Sequence, residues 1–258
     1  MVGCIKVQVS FGQKQAPTNI YVFSRSRTGM KKEGKPMNIK TLSLTIVAGS
    51  LLATTAMADY NGLSYDIVEQ MGDGAQAGTW TARIFANFDN AADRLDAVYG
   101  NADNMLTIDS DGGFFQSSFG DNVSTGINPA FYPLAPDLVY DSWVTIGLED
   151  QVDNAMLNIG IDFTDFAAGG GMSVDNGTWF VTPDDAQGAA GADLRVMVGQ
   201  FTMNGLDSAV YGTLNLQGKD TAGETYQVTD QAFSFSLPAP GALALLGLAG
   251  VASRRRRK

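Results

Sequence analysis

Two aspartates set two residues apart ahead of glycines, in IDSDGGFF, are the nearest approach of this sequence to a binding motif. Asp109 and Asp111 offer hard oxygen ligands, and the glycines after them let both carboxylates fold around one calcium ion. The pattern is only the opening of an EF-hand loop. Gly113 stands at its fifth position and Gly120 at its twelfth, where Glu is needed. Asp162 and Asp165 in DFTDF form a second loose pair. Calcium binding competes at both pairs with turn formation, in which a short Asp side chain bonds nearby backbone. No other cofactor is indicated. Glu149, Asp150 and Asp153 follow closely on Trp143. Two carboxylates are what a glycosidase requires, and an indole stacks on sugar rings, so Trp143 is the candidate ligand contact. Trp80, Trp143 and Trp179 all fall in strand-like runs, however, where packing in the core is the ordinary role. No catalytic residue emerges. There is no His, which removes Ser-His-Asp and Cys-His catalysis and the usual zinc sites. The single cysteine is Cys4, near the start of the chain. AAGGGM lacks the Lys-Ser/Thr of a phosphate loop.

The elements that would hold these residues are short runs of β-branched and aromatic residues, divided by Gly, Asp and Asn. Strands are expected over 79–88, 94–100, 104–108, 114–118, 141–149, 154–162, 178–182, 194–203, 209–218, 225–228 and 232–237. In LRVMVGQFTM the core face carries Leu194, Val196, Val198 and Gln200, or Met197 and Phe201 if a bulge intervenes at Gly199. LQGKDTAGETYQV joins two runs as a hairpin, and PDDAQGAAGADL reads as a loop. No segment has the length and helical period to supply βα units. The fold class is therefore all-β, an antiparallel β-sandwich with a jelly-roll-like form among the options.

Charge divides the chain. Residues 1–58 hold eight basic residues and one acid, and residues 237–258 hold five basic residues and no acid. Residues 59–236 keep four cations, Arg83, Arg94, Arg195 and Lys219, against 26 acids, a net charge of −22. Such a domain repels nucleic acid, which is not expected as a partner. Of those acids 23 are Asp, which points to loop chemistry more than to helix surfaces.

The run from Met37 has a basic start at Lys40, an apolar stretch and a close on Ala56-Met57-Ala58. That is a signal peptide over 37–58, with Ala56 and Ala58 in the signal peptidase pocket and Asp59 as the mature N-terminus. Residues 1–36 fit no part of this and are expected to be an upstream extension or a long basic leader. At the other end, Pro238-Ala239-Pro240 breaks the chain before the uncharged GALALLGLAGVAS. Arg254, Arg255, Arg256, Arg257 and Lys258 follow. As a helix the apolar run spans roughly 20 Å, short of the roughly 30 Å hydrocarbon core. Bilayer thinning and snorkelling make up part of the difference. The basic end then stays on the cytoplasmic side.

These residues resemble the PEP-CTERM sorting signal of exported bacterial proteins, in its PAP-motif form, with Ala239 where the commonest motif has Glu. The resemblance implies capture by an exosortase, a membrane-embedded transpeptidase-like enzyme, after transient membrane insertion. It also implies cleavage near the Pro motif and release to the cell surface or extracellular matrix. The blocks TWTARIFANFDNAADRLDAVYGNADNMLTI and YDSWVTIGLED are similar to other exported proteins with such a tail. The sequence thus divides into 1–36, a signal peptide (37–58), a β-sandwich domain (59–236) and a sorting signal (237–258). A signal helix and a transmembrane sorting helix are expected on either side of the sandwich. The expected role is structural or adhesive and non-catalytic. The alternative is a carbohydrate-binding or carbohydrate-active module meeting extracellular polysaccharide.

Overall fold

The structure is a computed structural model that describes Cys4–Val7, Ile20–Phe23 and residues 60–237. β1 (Cys4–Val7) and β2 (Ile20–Phe23) pair antiparallel within a compact unit of their own, Cys4 opposite Phe23. The cleavage positions Ala56, Ala58 and Asp59 lie outside the described residues, as do Pro238, Ala239 and Pro240 and the basic tail Arg254–Lys258.

Residues 60–237 form two antiparallel sheets around one core. The smaller sheet has the order β3 (Tyr60–Val68), β4 (Thr79–Phe88), β11 (Arg195–Asn204), β7 (Trp143–Val144). The larger is built on β12 (Ala209–Lys219). One edge of β12 pairs along its length with β13 (Thr225–Ser236). The other edge is shared, with β6 (Leu106–Ser110) on its first half and β5 (Arg94–Gly100) on its second. β10 (Gly177–Phe180) and β8 (Leu157–Ile159) extend the sheet beyond β5, and β9 (Met172–Val174) beyond β6. The only α-helical element among the described residues is the single turn α1 (Thr164–Ala167). No helix there is long and apolar enough to cross a membrane.

Alternation sets which side of each strand is buried. On β4, Trp80, Ala82, Ile84, Ala86 and Phe88 enter the core, while Thr81, Arg83, Phe85 and Asn87 take the outer face. β11 changes phase midway. Val196 and Val198 face the core before the register shift between Met197 and Gly199, and Phe201 and Met203 face it afterwards. One extra residue reverses the inside and outside of a strand, so the bulge at Gly199 keeps both halves of β11 on one core. A Cβ at Gly199 would lie 2.7 Å from the Phe201 ring and 2.9 Å from the Trp143 carbonyl.

The outer face of the small sheet is half covered by a flap, residues 117–142. It is built of 3-10 turns at Ser124–Gly126, Pro129–Phe131 and Pro136–Tyr140. Ile127, Ala135, Leu138, Trp143 and Met197 form a second apolar cluster beneath it. The buried Asp141 carboxylate pins the flap. Its Oδ1 accepts the Ser117 N–H at 2.7 Å and its Oδ2 the Asp121 N–H at 3.1 Å. Burial pushes this carboxyl up to about 7, against the opposing pull of the backbone N–H donors of Ser117, Asp121 and Ser142. A Cβ at Gly120 would lie 1.8 Å from Asp141 Oδ2, so only glycine lets the loop wrap the carboxylate.

The excess of Asp over Glu has a local cause. Asp121, Asp150, Asp162, Asp185 and Asp220 each accept, through one carboxylate oxygen, the N–H two residues ahead. Glu is one methylene too long for that turn.

The side of the sandwich where β3 meets β13 is closed by aromatic rings. Tyr60 packs on Phe88, and Phe88 on Tyr226, at one end. Tyr65 stacks on Phe235 at the other, with centroids 4.5 Å apart, and its hydroxyl donates to the Ser236 carbonyl. β3 and β13 therefore run in the same direction along this seam.

Candidate functional site

The open half of the small sheet's outer face is a groove of about 600 Å³. Its floor is set by strand register. Asp66 on β3 lies opposite Arg83 on β4, and Phe85 on β4 lies opposite Met197 on β11. Because partners in a ladder share a face, Asp66, Arg83, Phe85, Arg195 and Met197 all point outward. Gly147, Glu149 and Gln187 form one wall, with the 189–193 loop beside them.

Both guanidinium groups in this groove are fixed. Arg83 holds Glu149 with two parallel bonds, Nη1 to Oε1 at 2.8 Å and Nη2 to Oε2 at 2.6 Å. Its Nε donates to Gln200 Oε1 at 3.0 Å. Gln200 is itself buried, its amide nitrogen donating to the carbonyls of Val139 and Asp141. Arg195 lies flat across the sheet, its guanidinium carbon 3.9 Å from the centre of the Phe85 ring. It reaches over β4 to Asp66 on the far strand, Nη2 to Oδ2 at 2.7 Å. Bidentate pairing and stacking on an aromatic ring are the arrangements that most restrict arginine. Half of the domain's four cations thus converge on one groove.

The residues singled out from the sequence are distributed otherwise. Trp143 is 2 % exposed, on β7 under the flap, so its indole presents no face to a sugar. Trp80 and Trp179 are buried as well. Their indole N–H groups donate to the carbonyls of Ser208 and Thr145. Partly exposed rings on a sheet face occur instead at Tyr99 and Phe180. They line a shallow depression of the large sheet with Asp96, Thr178 and Gln217. Of the carboxylates after Trp143, Glu149 enters the groove, whereas Asp150 closes a turn through the Val152 N–H.

Asp109 and Asp111 point apart in function. Asp109 lies in an open groove of about 630 Å³ with Asp162 and Asp165, beside Gly170 and Gly171. Asp111 pairs with the Tyr211 hydroxyl, and the charges of Asp109 and Asp111 raise that phenol above its ordinary value, Asp109 most of all. Asp109 of one sequence pair is therefore brought beside both members of the other, Asp162 and Asp165, and Asp111 is not. Among the described residues, nonetheless, no three acidic, His or Cys side chains are grouped so as to hold a metal ion. Asp162 is held below its ordinary value by the Thr164 hydroxyl and N–H, which occupy its Oδ1.

Sequence reasoning missed the groove because Asp66, Arg83, Glu149 and Arg195 come from three strands and a loop far apart in the chain. The one available signal was the scarcity of cations, which makes the location of each arginine informative. Comparison with known families, characterised proteins and solved structures finds no match, so the site rests on its own geometry.

Proposed function

We propose that this chain is an exported protein sorted to the cell surface or extracellular matrix, where its sandwich plays a structural or adhesive, non-catalytic part. Signal peptidase and an exosortase process it, and its tail enters the membrane in passing. The expected flanking helices and a jelly-roll-like winding belong to the same proposal. The observation that carries it is the sequence of parts at the C-terminal end, Pro238-Ala239-Pro240, then an uncharged apolar run, then Arg254–Lys258, behind the signal-like run from Met37. The position of β13 supports it. The last described strand ends at Ser236, so cleavage near Pro238 removes none of the described strands. Intact-mass measurement on protein recovered from cells tests both cuts together. The expected product begins at Asp59 and ends near Pro238, and an uncut chain in the cytosol overturns the proposal.

A carbohydrate-binding role is the second reading. What favours it is the groove, in which the Arg83 guanidinium is held by Glu149 from a neighbouring loop and by Gln200 from the sheet.

A further inference from the structure

We propose that edge strand β8 is a self-association site, where two copies of this chain pair β8 to β8, antiparallel, about a two-fold axis at Asn158. The inference goes beyond both readings of function and stands whether or not the tail is cut.

β8 ends the larger sheet. Among the described residues it pairs with β10 alone, so its outer edge carries no ladder. The other edges are blunter. Val123 of the flap bridges Val144 on β7, and aromatic rings close the side where β3 meets β13. β9 turns Met172 and Val174 inward and exposes only Ser173. On β8 all three residues are exposed. Leu157 and Ile159 are 57 % and 66 % exposed, where sheet edges ordinarily carry charge, proline or a covering loop.

Register makes this exposure a patch. Leu157 lies opposite Phe180 and Ile159 opposite Thr178, and these lie opposite Ala97 and Tyr99 on β5. Partners in a ladder share a face, so all six stand on the outer face, away from the buried Trp179. Neither β8 nor β10 contributes a charged residue, in a segment that carries 26 acids.

A free edge is recognised by another extended strand, through its backbone. The run Leu157-Asn158-Ile159 is self-complementary as such a strand. With Asn158 on the axis, Leu157 of each copy faces Ile159 of the other, and all four apolar side chains fall on one face. A slip of one residue would put the two copies' apolar side chains on opposite faces. Charge agrees with this placement. Each copy carries −22 over residues 59–236, so two copies approach most easily where the surface is uncharged. The repulsion that remains is screened over about 8 Å at physiological salt, so pairing strengthens as salt rises. A cationic partner held by the acids would bind more weakly instead. Only three residues pair, so the interface is small, and a dissociation constant on the order of 10–100 μM is expected.

The test uses the full chain in mild detergent. Sedimentation equilibrium should show a monomer–dimer equilibrium that tightens between about 0.05 and 0.5 M salt. Ile159→Lys lowers the net negative charge yet sets an ammonium group against Leu157 of the other copy. It should weaken the dimer about tenfold or more. Its melting temperature at low protein concentration should not change, because Ile159 is exposed in the single chain. In a Cys4→Ser background, Asn158→Cys should link two copies through a disulfide under a mild oxidant. Opposed Cα atoms in an antiparallel pair lie about 4.5–5.5 Å apart, within disulfide reach. Ser173→Cys on β9 should give no such link. A chain that stays monomeric to about 1 mM at high salt overturns the inference, as does a dimer that weakens with salt. A dimer that survives Ile159→Lys overturns this site. If Leu134→Lys then abolishes it, the contact lies on the flap, where Phe119, Phe131 and Leu134 are exposed. In cells, a cross-link from the Asn158→Cys variant to a different protein overturns a second copy as the occupant. None of these results alters the masses expected from signal and tail cleavage, so the sorting proposal stands or falls separately.

Discussion

Replacing Asp141 by Asn separates two effects that the buried carboxylate combines. A carboxyl whose folded-state pKa lies above its unfolded value binds its proton more tightly when folded. Its contribution to stability is complete below the unfolded pKa and is lost as pH rises through the folded one. For Asp141 those limits are 3.8 and about 7. At about 1.4 kcal/mol per pH unit, the loss across that window is on the order of 4 kcal/mol. Asparagine carries no proton to lose. Its amide can accept only one of the Ser117 and Asp121 N–H bonds, which costs about 1–3 kcal/mol at every pH. The variant should therefore be the less stable protein near pH 4 and gain on the wild type as pH rises. By pH 8 it should equal or exceed it. At about 2–4 °C per kcal/mol for a domain of this size, the difference in melting temperature should swing by roughly 10 °C between pH 4 and 8. Circular-dichroism melts of both proteins over that range measure it. A constant difference, or an Asn variant that falls further behind at high pH, would mean that the N–H donors outweigh burial and keep the carboxylate ionised.

Four further outcomes follow from the same contacts. Gly120→Ala drives a methyl into the Asp141 carboxylate, so it should lower stability by a few kcal/mol, on the order of an overpacked core, and expose the Trp143 indole to fluorescence quenchers. Trp143→Ala empties the cluster beneath the flap and should cost about 3–5 kcal/mol in denaturant melts. Gly199→Ala meets the Phe201 ring and the Trp143 carbonyl, and chemical-denaturation curves should register a loss of about 1–3 kcal/mol. Calcium should leave the melting temperature flat up to about 1 mM, because Asp109, Asp162 and Asp165 share a groove without forming one coordination shell. A rise of several degrees would mean that they close around the ion.

Strands with unbroken alternation were legible from sequence. Those over 79–88 and 94–100 have the expected bounds, and a bulge at Gly199 was one of two options for LRVMVGQFTM. Met197, given to the core with Phe201 in that option, nevertheless lies on the outer face, and Leu194, given to the core in the other, precedes the strand and is exposed. The hairpin at LQGKDTAGETYQV forms, with Lys219 opposite Thr225. Apolar runs that pack without pairing misled. Phe114 makes one isolated bridge to Met203 in place of a strand over 114–118. Only Trp143 and Val144 pair in 141–149, because the residues before them belong to the flap and Ile146 enters the core. The runs at 225–228 and 232–237 are one strand, β13, kept continuous through Asp230 at φ 55°. β3 was missed because Gly62, at φ 89° beside a register shift, interrupts its alternation. The groove was not legible, since Arg83 and Arg195 become neighbours only when β4 and β11 pair.

The parallel course of β3 and β13 has a mechanical consequence. The chain enters the sandwich at Tyr60 and leaves after Ser236, at opposite ends of the aromatic seam. The Tyr65 hydroxyl reaches Ser236, so the five steps of strand from Tyr60 to Tyr65, at about 3.3 Å each, put these ends about 17 Å apart along the seam. Tension between them pulls β3 lengthwise along β4 and β13 lengthwise along β12. Every rung of both ladders then carries load together, in shear, and none peels open ahead of the others. A body strung between two attachments in this way resists extension far better than one whose terminal strands unzip.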